Sequence, residues 1–208
     1  MKKFIISFGF LLAFAFWTVL VLTVDRAPIG PNGSFVGLSG VNGAFHSLTG
    51  SSLTLYNITD WAGLVPVFCG FSFAVLGLIQ WIKRKNIIKV DKSLLVLGIY
   101  YIVVLSLYLF FEEVVINYRP VLIGGYLEAS YPSSTTLLVL TVMPTTKKQL
   151  VSRIKNKHLK QVVSITITAF CFFVVLGRLI SGVHWLSDII GGVLLSFGLV
   201  WLYKGAVE

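Results

Sequence analysis

Two arginines and a cluster of hydroxyl side chains have residue types that suit the binding of a phosphate group. Arg119 and Arg178 are candidate ligands, because arginine stays charged and contacts two phosphate oxygens at once. A hydroxyl cluster follows Pro132 at a predicted helix start, where free backbone N–H groups and the helix dipole favour an anion. Its members are Ser133, Ser134 and Thr135. Helix capping by the hydroxyls and anchoring of helix ends by the arginines are the alternative interpretations.

A histidine and a carboxylate near the second arginine add candidate catalytic groups. His184 and Asp188 are four residues apart, which predicts that they share one face of a helix. A carboxylate there can hold one ring nitrogen and leave the other free to attack or to transfer a proton. A purely structural pair at a helix start is the alternative. Ionisable groups at membrane level are costly, which favours a functional role.

The composition places these residues in a membrane protein. The chain of 208 residues is 56% hydrophobic and 12% charged, with a mean hydropathy of +0.89, whereas soluble domains are roughly one-quarter charged. Six apolar runs predict an all-α bundle of six transmembrane helices that forms a single domain, residues 1–208. The predicted helices are about 4–24, 61–82, 93–118, 133–146, 161–180 and 185–203. The middle of the Gly/Ser-rich connection between the first two, Phe35–Leu55, is expected to lie along the membrane surface.

The distribution of basic residues predicts the orientation. With a cytoplasmic N-terminus, all Lys and Arg residues except three fall on the inner side, out of 17 in the chain. The three exceptions are Arg26, Arg119 and Arg178. This bias predicts that both termini are cytoplasmic and that the candidate site is extracytoplasmic. The net charge of +9 is thereby explained as a topology signal, and no nucleic-acid partner is expected.

The stretch Arg178–Asp188 resembles the third signature motif of the type 2 phosphatidic acid phosphatase and vanadium haloperoxidase superfamily. It reads Arg, five residues, His, three residues, Asp. The other two motifs of the family are partly degenerate here. Arg119-Pro120 match the first, but Glu112 stands at its lysine position. Pro132-Ser133 match the second, but Ser134 and Thr135 replace its glycine and its acid histidine.

The resemblance implies a membrane phosphatase that acts on a lipid phosphate or diphosphate. Arg119, Arg178, Ser133 and the Ser134 backbone would bind the phosphoryl group, with Thr135 beside them. His184 would form a phosphohistidine, with Asp188 orienting its ring, and no metal or cofactor is implied. Losing a general acid typically costs ~10²–10⁴-fold in rate. A lipid-phosphate binder with little or no activity therefore stays open, and a lipid transporter is a third possibility.

Three further expectations concern depth, the acidic residues near the site and origin. A fourth helix that stops near Thr146 would be too short to cross a bilayer, which would place the hydroxyl cluster below the outer surface, at headgroup level. Glu112 could pair with Arg119, and Glu113, Glu128 or Tyr126 could supply the missing proton. The two-lysine start and the compact chain favour a bacterial plasma membrane.

Overall fold

The computed structural model describes residues 1–207 and consists of helices joined by short connections. The eight α-helices are α1 (Lys2–Thr23), α2 (Ser39–Thr49), α3 (Leu53–Ala62), α4 (Leu64–Arg84), α5 (Lys92–Glu113), α6 (Ser134–Arg153), α7 (Lys157–Ile180) and α8 (Leu186–Val207). Short 3₁₀ turns cover Pro31–Gly33 and Ile87–Lys89. Within residues 1–207 the only β-type pairings are isolated bridges. The all-α prediction is therefore confirmed.

Five parts of this bundle are long and apolar enough to cross a bilayer. They are α1, the nearly continuous run α3–α4, α5, α7 and α8. Helix α6 is different, because threonines and Gln149 are buried along it. It packs against α4, α5, α7 and α8, so protein covers its polar side chains. Five of the six predicted spans thus have suitable helices, and the crossing of the membrane by α6 remains a prediction.

The fourth predicted helix is longer than expected. The sequence pattern predicts an end near Thr146, but α6 continues through Pro144 to Arg153. Proline removes one backbone donor, but α6 packs against α4, α5, α7 and α8, and these contacts support the helix past this position. Since α6 has 20 residues, it is roughly 30 Å long, and the depth argument based on a short helix is wrong.

The third predicted helix is shorter than expected, and this difference shapes the candidate site. Helix α5 ends at Glu113 instead of Tyr118. The following chain turns back on itself as two extended segments: the Arg119 amide donates to the Glu128 carbonyl over 3.0 Å, and the Ser130 amide donates to the Asn117 carbonyl over 2.9 Å. This pairing carries Arg119 on a loop, so its position does not follow from helical spacing.

The connection between α1 and α4 contains two helices, α2 and α3, and the apolar run predicted to begin at Trp61 extends back to Leu53. The location of Phe35–Leu55 along the membrane surface stays a prediction. Helix α2 is fixed to the start of α8 by Asn42, whose amide nitrogen donates to the Ser187 hydroxyl over 2.9 Å. The Ser187 amide donates to the Asn42 side-chain oxygen over 3.0 Å. Helix α2 is thus docked on the end of the bundle at which α5 and α7 finish and α6 and α8 begin, and α3 packs against α7 at the same end.

Candidate active site

Arg119 and His184 meet directly in the interior of this end of the bundle. The Arg119 Nη1 group donates to Nε2 of His184 over 3.1 Å. The Nδ1 atom of His184 lies 3.2 Å from the Ser130 carbonyl oxygen. One tautomer satisfies both contacts, with the proton on Nδ1 and the lone pair on Nε2. The nucleophile candidate therefore has its unprotonated nitrogen on the side of an arginine.

His184 lies in the turn between α7 and α8, and this corrects the expectation that it shares a helical face with Asp188. Helix α8 begins at Leu186, so only Asp188 is helical, in the first turn. The turn depends on Gly182, which has φ +63° and whose added Cβ would lie 1.7 Å from the Gly50 carbonyl oxygen. A side chain there would be strained by its backbone angle and blocked by α2–α3 connection atoms. The conformation of the turn thus determines the position of the His184 imidazole.

Asp188 holds this turn in place and lies beside the imidazole. Its Oδ2 accepts from the Trp185 amide over 2.9 Å, and its Oδ1 accepts from the Asn117 side chain over 3.3 Å. The same Oδ2 lies 3.8 Å from Nδ1 of His184, which is long for a hydrogen bond. The Ser130 carbonyl is thus the nearer partner of Nδ1, and the carboxylate is placed to stabilise positive charge on the ring.

Burial and two nearby cations hold His184 in its neutral form. Burial lowers the pKa of His184 well below its usual value, and the positive charges of Arg119 and Arg178 lower it further. A neutral imidazole has the free lone pair that a nucleophile requires. The site therefore keeps the candidate nucleophile competent near neutral pH.

Arg178, in the last turn of α7, is almost fully buried, with a side chain 1% exposed. Its Nη2 group donates to the Thr135 hydroxyl over 2.7 Å and to Oδ1 of Asp60 over 3.1 Å. Its Nη1 group donates to the Tyr56 carbonyl over 3.4 Å. Thr135, at the position of the motif's acid histidine, is thus an acceptor for Arg178.

The carboxylate nearest to Arg119 is Glu128, not Glu112. Nε of Arg119 lies 2.9 Å from Oε2 of Glu128, which comes from the facing extended segment. Glu112 is exposed in the last turn of α5. Glu113 and Tyr126 are also exposed. Among the alternative proton donors considered from sequence, Glu128 is therefore the one in contact with a site arginine.

The hydroxyl cluster opens α6 as predicted. Ser133 is the N-cap and its hydroxyl accepts from the Thr136 amide over 3.5 Å, a long contact. The Ser133 amide donates to the Asp188 carbonyl over 3.1 Å, which ties the start of α6 to the start of α8. Ser134 is the first helical residue and is half-buried. Capping by Ser133 and its bond to Asp188 thus fix the hydroxyl cluster beside the turn that carries His184.

Several side chains and backbone groups of the site were not predicted from sequence. They are Tyr56, Asp60, Asn117 and Ser130. Only Asn117 and Ser130 lie next to recognisable motif residues, and the others have no local signal. Among residues 1–207, no group of three or more His, Cys, Asp or Glu side chains is placed to hold a metal ion.

The chain belongs to the PAP2 superfamily, whose sequence model matches residues 67–208. This range contains all three motif stretches and both site arginines, and with the five long apolar helices it defines a multi-pass membrane protein of that family. No curated protein sequence matches the chain significantly.

A solved structure has the same fold. It is described as the first transmembrane PAP2 type phosphatidylglycerolphosphate phosphatase, from Bacillus subtilis. The similarity covers 96% of this chain and 94% of that chain, with a TM-score of 0.65 and 20% sequence identity. At this identity the likeness establishes the fold that the two proteins share.

Proposed function

We propose that this protein is a membrane phosphatase that removes a phosphoryl group from a lipid phosphate through a phosphohistidine intermediate. The contact that carries the proposal is that of Arg119 Nη1 with Nε2 of His184 at 3.1 Å. It places the lone pair of a buried neutral histidine beside a cation suited to phosphate. Membership of the PAP2 superfamily supports the same reaction class.

In the proposed reaction, Nε2 of His184 attacks phosphorus and the bond from phosphorus to the leaving oxygen breaks. Arg119 turns its Nη1 donor from Nε2 to a phosphoryl oxygen, and Arg178 neutralises charge from the other side. The ring becomes positive, and the Ser130 carbonyl and the Asp188 carboxylate stabilise it on the Nδ1 side. Water then attacks the phosphohistidine, releasing inorganic phosphate and restoring the neutral ring.

An apolar groove that reaches to within one helical turn of the hydroxyl cluster supports a lipid substrate. It has a volume of about 770 Å³ and lies between α4 and α5, with Leu138 and Val142 of α6 on its wall. Leu138 is one helical turn below Ser134, so hydrocarbon attached to a phosphate at the hydroxyl cluster can continue into the groove. The groove is lined by Pro66 near one end of α4 and Trp81 near the other. These residues are roughly 22 Å apart along the helix, so the groove spans most of a ~30 Å hydrocarbon core.

The substrate class we favour is a lipid diphosphate, such as a polyprenyl diphosphate. A monoester must expel an alkoxide, which leaves poorly without a proton donor, whereas a diphosphate expels a phosphate whose second pKa is about 6. Thr135 stands where the acid would be and accepts a hydrogen bond from Arg178. Phosphatidate and phosphatidylglycerolphosphate are the monoester alternatives, the latter being the substrate in the description of the Bacillus subtilis structure.

The accompanying proposal for topology places the site on the extracytoplasmic side of a bacterial plasma membrane, with both termini in the cytoplasm. The basic connection between α6 and α7 and the basic end of α4 support this orientation. A lipid phosphate in the outer leaflet would then reach the site laterally.

A second candidate function is the binding of lipid phosphate without turnover. Glu112 in place of the motif's lysine and Thr135 in place of its acid favour this reading. The two functions differ in their need for His184, because a binder requires the arginines but no nucleophile.

Phosphate release by the purified protein from phosphatidate, phosphatidylglycerolphosphate and polyprenyl diphosphate tests the proposal. Release from at least one of these supports a phosphatase, and release from none supports the binder.

A further inference from the structure

Tyr56 of α3 contacts both phosphate-binding candidates, Arg119 and Arg178. The guanidinium carbon of Arg178 lies 4.6 Å from the centre of the Tyr56 ring, and that of Arg119 lies 5.6 Å from it. Both distances fall within the range of cation–π attraction, which extends to about 6 Å. One aromatic ring therefore contacts two cations that come from distant parts of the chain.

Two buried guanidinium groups that serve one phosphoryl group repel each other before the anion arrives. The repulsion is strong where water is excluded, and Arg178 is buried with a side chain 1% exposed. The electron-rich face of an aromatic ring offsets such repulsion, because it attracts both cations. A ring also differs from a carboxylate in that it does not compete with phosphate for the hydrogen-bond donors of the arginines.

Helix α3 is fixed to α7 around Arg178, so the ring has a defined place. Upstream of α3, the Ser52 amide donates to the Ser181 carbonyl over 2.8 Å. A Cβ added to Gly177 would lie 2.5 Å from Cγ2 of Thr59, which shows how closely the two helices approach. One turn after Tyr56, Asp60 holds Nη2 of Arg178. Two successive turns of α3 thus contact Arg178 from one face of the helix.

This helix lies outside the part of the chain that carries the family's sequence pattern. Helix α3 covers Leu53–Ala62, whereas the family match begins at residue 67. None of the three motif stretches includes Tyr56 or Asp60.

We infer that Tyr56 is a positioning residue that holds Arg119 and Arg178 at the spacing needed to bind one phosphoryl group. It acts through the face of its ring and touches none of the reacting atoms. The inference rests on the proposed function to the extent that the ligand is a phosphoryl group, and it adds α3 to the parts of the protein that determine phosphate affinity.

The test compares Tyr56→Phe, which keeps the ring, with Tyr56→Leu, which removes it, in the purified full-length protein. Asn57→Ala is the matched control, because Asn57 is exposed on the same helix. Two quantities are measured: the Kd for inorganic phosphate, and KM and kcat for a lipid phosphate. Thermal unfolding without phosphate checks that each variant is folded, and Tyr56→Met replaces Tyr56→Leu if the latter does not fold.

We expect Tyr56→Phe and Asn57→Ala to keep phosphate affinity within about twofold of wild type. Tyr56→Leu should weaken phosphate binding about five- to tenfold, the range that loss of cation–π contacts gives, and should raise KM more than it lowers kcat. Equal affinity of Tyr56→Leu and Asn57→Ala would overturn the inference. A loss of phosphate affinity in Tyr56→Phe as large as that in Tyr56→Leu would also overturn it, since the hydroxyl would then be responsible. A wild-type protein without saturable phosphate binding would overturn it as well.

The phosphate measurement separates this inference from the proposed function. If wild type binds phosphate but hydrolyses no lipid phosphate, the phosphatase proposal fails, and the Kd values of the variants still decide the role of Tyr56. If hydrolysis occurs and the Kd values do not differ, the phosphatase stands and the positioning role is refuted.

Discussion

Arg119 donates a hydrogen bond to Nε2 of His184 over 3.1 Å, while Nε of the same guanidinium lies 2.9 Å from Oε2 of Glu128. The arginine is thus shared between the candidate nucleophile and a carboxylate, and a phosphoryl group must draw it away from both. This arrangement makes the behaviour of Arg119 central to substrate binding, and it leads to specific expectations for Glu128 and for pH.

Neutralising Glu128 should tighten phosphate binding. The carboxylate lies 2.9 Å from Nε of Arg119 and competes with an anion for the same cation. We expect Glu128→Gln to lower the Kd for inorganic phosphate severalfold, as measured by calorimetry. Glu113→Gln, an exposed acid at the end of α5, is the matched control and should have little effect. Weaker binding in Glu128→Gln would mean that the carboxylate orients Arg119 instead of competing for it.

The pH dependence of kcat/KM should show an acid limb below the usual range of histidine. Burial and the two arginines lower the pKa of His184, so the ring stays neutral and nucleophilic as the pH falls through about 6.5. Activity should therefore persist at pH values where an ordinary histidine is mostly protonated, and it should fall only when the depressed pKa is reached. Initial rates at subsaturating substrate across the acid range measure this limb. A midpoint at or above 6.5 would contradict a buried neutral His184.

Restoring the acid of the second motif should distinguish the two substrate classes. In Thr135→His, an imidazole replaces the hydroxyl that accepts from Arg178 and can protonate a leaving oxygen. Monoester hydrolysis should accelerate much more than diphosphate hydrolysis, because only the alkoxide needs the proton. Parallel kinetics of both proteins on phosphatidate and a polyprenyl diphosphate check this. Equal acceleration of both, or a wild-type preference for phosphatidate, would refute the diphosphate proposal.

The proposed orientation predicts which positions an impermeant thiol reagent reaches in intact cells. A cysteine introduced at Glu128, near the site, should be labelled, and one at Lys155, in the basic connection between α6 and α7, should not. Native Cys69 and Cys171 lie within α4 and α7 and should be replaced first. Labelling at Lys155 without labelling at Glu128 would invert the topology.

Much of the fold and part of the site follow from the sequence, because apolar run length and short motifs are local signals. The run lengths identify α1, α5, α7 and α8, whereas the expectation that His184 shares a helical face with Asp188 is wrong because α8 begins only at Leu186. The end of α6 is predicted wrongly because a proline such as Pro144 usually ends a helix, whereas here packing against four other helices supports α6 beyond it.

The contacts of Arg178 show why the rest of the site is not predictable in this way. Thr135 is in a motif, so its proximity to Arg178 is expected from the family resemblance. Tyr56 and Asp60 are more than 110 positions away in sequence, and nothing local marks a tyrosine or an aspartate on a short helix as a partner of an arginine. Their role arises only from how α3 docks on α7.

The central claim is that His184 forms the covalent bond to phosphorus, and phosphate release by His184→Ala tests it most directly. His158→Ala is the matched control, because His158 is exposed at the start of α7. On the lipid phosphate that wild type hydrolyses fastest, His158→Ala should match wild type. His184→Ala should lose activity by a factor of about 10⁴ or more, as nucleophile variants do, while the Kd for inorganic phosphate changes little. Phosphate release by a folded His184→Ala protein at a rate close to that of wild type would contradict the account.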